Sequence, residues 1–140
     1  MIKGSISLMI SSENDLVIAR QRAASFAEKI GFSKSGSVIV STIISQISRL
    51  LLRLNKPGRV NIYSIQKGLR NGIVISAFSN DRNISKVQTV YDKKQPPSIQ
   101  ILSPNLHLDF DKLLSKKIID EFNIVPVSNK GISIEIVKYI

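Results

Sequence analysis

At 140 residues the chain has the length of one domain, enough to bury a hydrophobic core without a metal or a disulfide to staple it. It contains no cysteine, which excludes disulfides, thiolate catalysis and cysteine-based zinc sites. Lys and Arg number 20 against 10 Asp and Glu, a net charge of +10.

That charge is unevenly placed. Between Glu28 and Asp81 there is no carboxylate, while Lys29, Lys34, Arg49, Arg53, Lys56, Arg59, Lys67 and Arg70 are all basic. A field of one sign attracts a polyanion or an acidic protein surface, and it also serves as an ordinary solvated face. The basic residues are scattered without interleaved aromatics, and there is no tryptophan, which argues against nucleic acid as the partner. The opening MIKGSISLMISSEND turns polar too early for a signal peptide. No uninterrupted apolar run approaches the roughly 20 residues that cross a bilayer. The expectation is a cytoplasmic protein with no membrane partner.

In chain order, Ser5–Ile10 alternates polar and apolar residues and predicts a strand. Ser12 followed by Asp15 is a capping signature. It opens a helix to about Ile30, with Leu16, Ala19, Ala23, Phe26, Ala27 and Ile30 on one side and Gly31 as the stop. After the short Ser33–Ser37 linker, a second helix from about Ser37 to Leu54 buries a stripe of Val40, Ile43, Ile44, Ile47, Leu50, Leu51 and Leu54 at steps of three and four. Asn55-Lys56-Pro57-Gly58 is a turn. Arg59–Gln66 and Ile73–Phe78 are the strands of a hairpin joined through Gly68–Gly72.

From Ser79 to about Ser98 the pattern dissolves, and a connection of that length inside a domain is functional or disordered. Ser98–Leu102 reads as a short strand. Asp109 or Asp111 starts a third helix through Leu113, Leu114, Ile118, Ile119 and Phe122. Ile124–Val127 and Ile132–Ile140 form a second hairpin around Ser128–Gly131. The order β-α-α-β-β-loop-α-β-β implies an α+β fold: a two-layer α/β sandwich, with a mostly antiparallel sheet and three helices on one face.

The residues that chemistry usually needs are sparse. His107 is the single histidine, with no cysteine or triad beside it, so its ordinary reading is structural. Asp109 with Asp111 is the nearest approach to a metal site, but aspartates before a helix commonly cap it. Asp120 and Glu121 occupy adjacent helical positions, which do not face each other. The seven glycines include no G-x-G, and none lies between Gly72 and Gly131. A phosphate cradle needs glycine for backbone N–H groups to close on the anion, and none exists here.

Several runs resemble a known family. Asp15-Leu16-Val17-Ile18-Ala19-Arg20-Gln21 and Ala27-Glu28-Lys29-Ile30-Gly31-Phe32 resemble the opening and closing of helix one in anti-sigma-factor serine kinases. These are the switch kinases of bacterial partner-switching and stressosome systems, with the histidine-kinase-like (GHKL, Bergerat) ATPase fold. Ser45-Gln46-Ile47-Ser48-Arg49 is similar to the start of their helix-borne ATP motif. Asp120-Glu121-Phe122 and the closing Ile136–Ile140 are similar to their C-terminal end. The likeness spans residues 1–140 as one domain, except that a variable loop at about 79–111 stands where the family has its ATP lid.

The departures fall on the ATP site. The family's E-x-x-x-N, general base and magnesium ligand, reads Gln46-Ile47-Ser48-Arg49-Leu50 here. Glutamine does not accept a proton usefully, and leucine offers no oxygen to a hard cation. The D-x-G-x-G motif aligns with Ser79-Asn80-Asp81-Arg82-Asn83, with both glycines gone and the acid displaced by two positions. The glycine-rich lid is replaced by a loop containing Pro96-Pro97. The resemblance therefore implies a pseudokinase: vestigial positions at Gln46, Leu50, Ser79, Asp81 and Asn83, no catalytic residue, no cofactor and no metal.

Such a protein would keep a docking surface for an STAS-domain antagonist, a stressosome scaffold or a sigma factor, and a homodimer is compatible with the family. The candidate contacts are Arg20, Arg22, Arg49, Arg53, Lys93 and Lys94. The alternative is a divergent active kinase that binds ATP and magnesium and uses Asp81 for the lost acid. A basic nucleic-acid binder stands third.

Overall fold

A computed structural model describes residues 4–52, 58–79, 87–92, 95–101, 107–108, 118–127 and 131–140. Strand β1 (Ser5–Ile10) leads into helices α1 (Glu13–Lys29) and α2 (Lys34–Leu52). Strands β2 (Gly58–Lys67), β3 (Arg70–Ser79), β4 (Val87–Asp92), β5 (Gln95–Ile101), β6 (His107–Leu108), β7 (Glu121–Val127) and β8 (Gly131–Tyr139) follow.

The capping chemistry read from the sequence forms as expected. The Asp15 N–H donates to Ser12 Oγ at 3.2 Å, and the Asp15 carboxylate accepts from the Ser11 N–H and hydroxyl at 3.0 and 2.9 Å. At the other end of α1, Gly31 sits at φ 114, where a side chain would be strained. The Phe32 N–H reaches Ala27 O at 3.0 Å and the Gly31 N–H reaches Glu28 O at 3.1 Å, the paired bonds of a Schellman stop. Helix α2 begins at Lys34, three residues before the expected Ser37. Ser33 is the reason: its hydroxyl accepts from the Gly36 N–H at 3.1 Å and its carbonyl from the Ser37 N–H at 2.8 Å.

Five strands form an antiparallel sheet in the order β1-β2-β3-β8-β7. Its register aligns two apolar rows across the strands, Leu8–Val60–Ala77–Ile134 and Ile6–Ile62–Ile75–Ile136. Side chains directly opposite one another in an antiparallel pair point to the same face, so both rows face one way. They join the helical residues Ala19, Ala23, Ala27, Val40, Ile43, Ile44, Ile47, Leu50 and Leu51 in a single core. Each large aliphatic buried there stabilises the fold by about 1.5–3 kcal/mol. Helix α2 packs on β1, β2 and β3, while α1 packs on α2 and β1. Helix α2 is long and apolar enough to cross a membrane, with mean hydropathy 1.4, but its apolar side is the one buried in this core.

The architecture is thus α+β, a layer of helices on an antiparallel sheet. Two helices, not three, occur among the described residues. The end of the expected third helix is corrected. Ile118–Asp120 is a bend, and Glu121 and Phe122 begin β7, where Phe122 pairs with Ile136 and Asn123 with Glu135. Positions 109–117, which would have carried its start, lie outside the described residues. Within the stretch at about 79–111, β4, β5 and β6 form a separate three-stranded sheet. The expected strand at Ser98–Leu102 falls largely within β5, which starts earlier at Gln95. The first hairpin is tighter than expected: pairing runs to Lys67↔Arg70, leaving Gly68-Leu69 as a two-residue turn.

Candidate functional site

Helix α2 places Gln46 and Leu50 one turn apart, yet their surroundings differ. Gln46 is exposed, whereas Leu50 is 6% exposed and part of the core. Positions i and i+4 lie about 40° apart around a helix, so the edge of the buried stripe passes between these two. Gln46 lines the groove between α1 and α2, and Leu50 does not. Ser48 is fully buried between them in sequence, and its hydroxyl finds no partner among the described residues.

Beside the stripe, α2 and α1 enclose an open groove of about 350 Å³ lined by Arg20, Val38, Ser41, Thr42, Ser45, Gln46 and Arg49. Arg20 comes from α1; the rest come from α2. The Thr42 hydroxyl donates to Val38 O at 2.9 Å, so it is turned back on its own helix. Among the described residues no carboxylate lines the groove, so they offer no charged oxygen ligand to a hard divalent cation there. Among the described residues no cluster of three or more His, Asp or Glu can hold a metal ion.

The fold therefore brings together three of the candidate positions, Arg20, Gln46 and Arg49. Arg22 is exposed on α1 outside the groove. Ser79 is the last residue of β3, paired with Gly58. Asp81, Asn83, Arg53, Lys93 and Lys94 lie outside the described residues, as do Asp109 and Asp111. His107 opens the short strand β6. Asp120 is structural: its carboxylate accepts the Tyr139 N–H at 2.7 Å, and its own N–H donates to Val137 O at 2.9 Å. Lys138, 8% exposed, ties down the neighbouring segment by donating from Nζ to Ile118 O at 3.0 Å.

No family model matches the chain. It is, however, similar to the serine/threonine-protein kinase RsbT of Bacillus subtilis (strain 168), 24% identical over 131 residues, 94% of this chain and 93% of that protein. That likeness supports a distant relation to RsbT. A span of that length takes in all of α2, and so both Gln46 and Leu50.

Sequence reasoning missed Val38, Ser41, Thr42 and Ser45 as lining residues. The signal was present: positions 38, 41, 42, 45, 46 and 49 repeat at helical spacing beside the apolar stripe, as a second stripe of mostly polar residues. Nothing in that spacing alone says that α1 closes the other side with Arg20.

Proposed function

We propose that this chain is a single degenerate kinase-like domain, a non-catalytic, pseudokinase-like binding module of a bacterial partner-switching system that acts in the cytoplasm. Its partner is a protein: an STAS-domain antagonist, a stressosome scaffold or a sigma factor. One observation carries the reading. At the position where the resembled family has its magnesium-binding asparagine, Leu50 is packed into the hydrophobic core.

Gln46 supports the same reading, since an amide is no general base. ATP with magnesium does not fit the residues present, so no step of phosphoryl transfer is assigned to them. Relation to RsbT supports the partner-switching setting.

That same relation, to a protein named as a kinase, favours a second reading: a divergent active serine/threonine kinase acting on an STAS-domain protein. Phosphoryl transfer depends on electrostatic stabilisation by metal and backbone donors. A kinase lacking the asparagine and the glycines would have to replace both. Transfer of radiolabelled γ-phosphate from ATP to STAS-domain proteins separates the two. The expected result is no incorporation above a control without this protein. Incorporation that disappears on Asp81→Asn would overturn the non-catalytic reading.

A further inference from the structure

We propose that the groove between α1 and α2 is a docking site for an acidic protein segment, which sets carboxylates against Arg20 and Arg49 and an aliphatic side chain against Val38. The inference deepens the partner-binding reading and rests on it. Arg20 and Arg49 stand on different helices and line one depression. Among the described residues neither guanidinium has an ion-pair or hydrogen-bond partner. Two unneutralised guanidiniums held in one groove suit paired carboxylates, which each accept two parallel N–H bonds from a planar fork.

The remaining lining fits the same occupant. Ser41, Ser45 and Gln46 add neutral donors, and among the described residues no acid lines the groove to compete for the arginines. Val38 is 63% exposed, and Val17, one turn before Arg20, is 47% exposed. Apolar surface of this kind rewards a side chain that brings its own, which a bare polyanion does not. Among the described residues no aromatic side chain lines the groove to stack a base, which disfavours a nucleic acid as occupant. Arg22 lies two positions from Arg20, on a different side of α1. It provides an internal control of equal charge.

The probe is a fluorescein-labelled peptide of alternating Glu and Leu, followed by anisotropy at low ionic strength. Arg20→Glu, Arg49→Glu and Arg22→Glu change net charge equally, and each is checked for an unchanged melting temperature. Arg20→Gln and Arg49→Gln stand in if a reversal disturbs folding. The expected result is a loss of about tenfold or more in affinity for each groove variant, and less than about twofold for Arg22→Glu. An equal loss in all three would overturn the site in favour of a diffuse basic field. So would an unlabelled single-stranded oligonucleotide that competes more tightly than the peptide, or no peptide binding to the unaltered protein. Phosphate transfer read on the same preparation keeps the two proposals apart. Peptide binding that depends on Arg49 stands even if transfer is detected.

Discussion

Leu50 is the side chain on which the proposed non-catalytic reading rests, because it belongs to the core. Its hydrocarbon is buried beside Ile47 and Leu51, so setting the resembled family's asparagine there would place an amide in apolar surroundings. Leu50→Asn is expected to destabilise the fold by about 3 kcal/mol in urea unfolding without conferring binding of ATP and magnesium. Ser48 is the opposite case. Its buried hydroxyl lacks a partner among the described residues, so Ser48→Ala is expected to raise stability by about 1 kcal/mol, read as a higher urea midpoint at unchanged slope. Membership of Leu50 in the core was legible from its place in the three-and-four spacing. Burial of Ser48 was not, because serine in a helix ordinarily signals an outward face, and only packing against the sheet reveals that this one points in.

At the scale of elements, the cap of α1 joins sequence to stability most directly. Ser12→Ala removes the acceptor for the Asp15 N–H and is expected to cost about 1 kcal/mol. Hydrogen bonds from the Ser11 backbone N–H and hydroxyl, aided by Ser12, hold the Asp15 carboxyl below the ordinary aspartate range. A depressed carboxylate contributes stability above its unfolded value, and that contribution is lost as pH falls through the folded one. The Asp15 resonance is therefore expected to titrate below an unstructured aspartate, and Asp15→Asn to flatten the acid side of the stability profile. Close approach fixes the other end of the helical layer. A Cβ on Gly58 would lie 2.7 Å from a Leu51 methyl and 2.9 Å from Leu51 Cβ. Gly58→Ala is expected to destabilise by about 1–3 kcal/mol through overpacking.

Both helices, the first hairpin and the final strand were legible because their apolar spacing and punctuation agree. The bend and strand at 118–122 were not. Ile118, Ile119 and Phe122 also suit a helical repeat, and nothing local reveals that Phe122 will pair with Ile136 across the sheet. Long-range strand pairing overrode a plausible local period.

For the whole molecule, the helical layer and the sheet share one core, and Leu50, aligned with the magnesium ligand of the resembled family, is part of it. The groove left on the outside of the helices is basic and, among the described residues, free of acids, which suits an acidic partner and offers no carboxylate to magnesium. The most direct measurement is thermal melting of the purified protein with and without millimolar ATP and magnesium. A ligand at about 100 times its dissociation constant would stabilise the fold by about 2.7 kcal/mol. For a chain of this length that would raise the midpoint on the order of 10 °C. The expected result is no shift. A clear magnesium-dependent rise would contradict the proposed non-catalytic reading and assign Gln46, Leu50 and the Ser79–Asn83 stretch to a working nucleotide site.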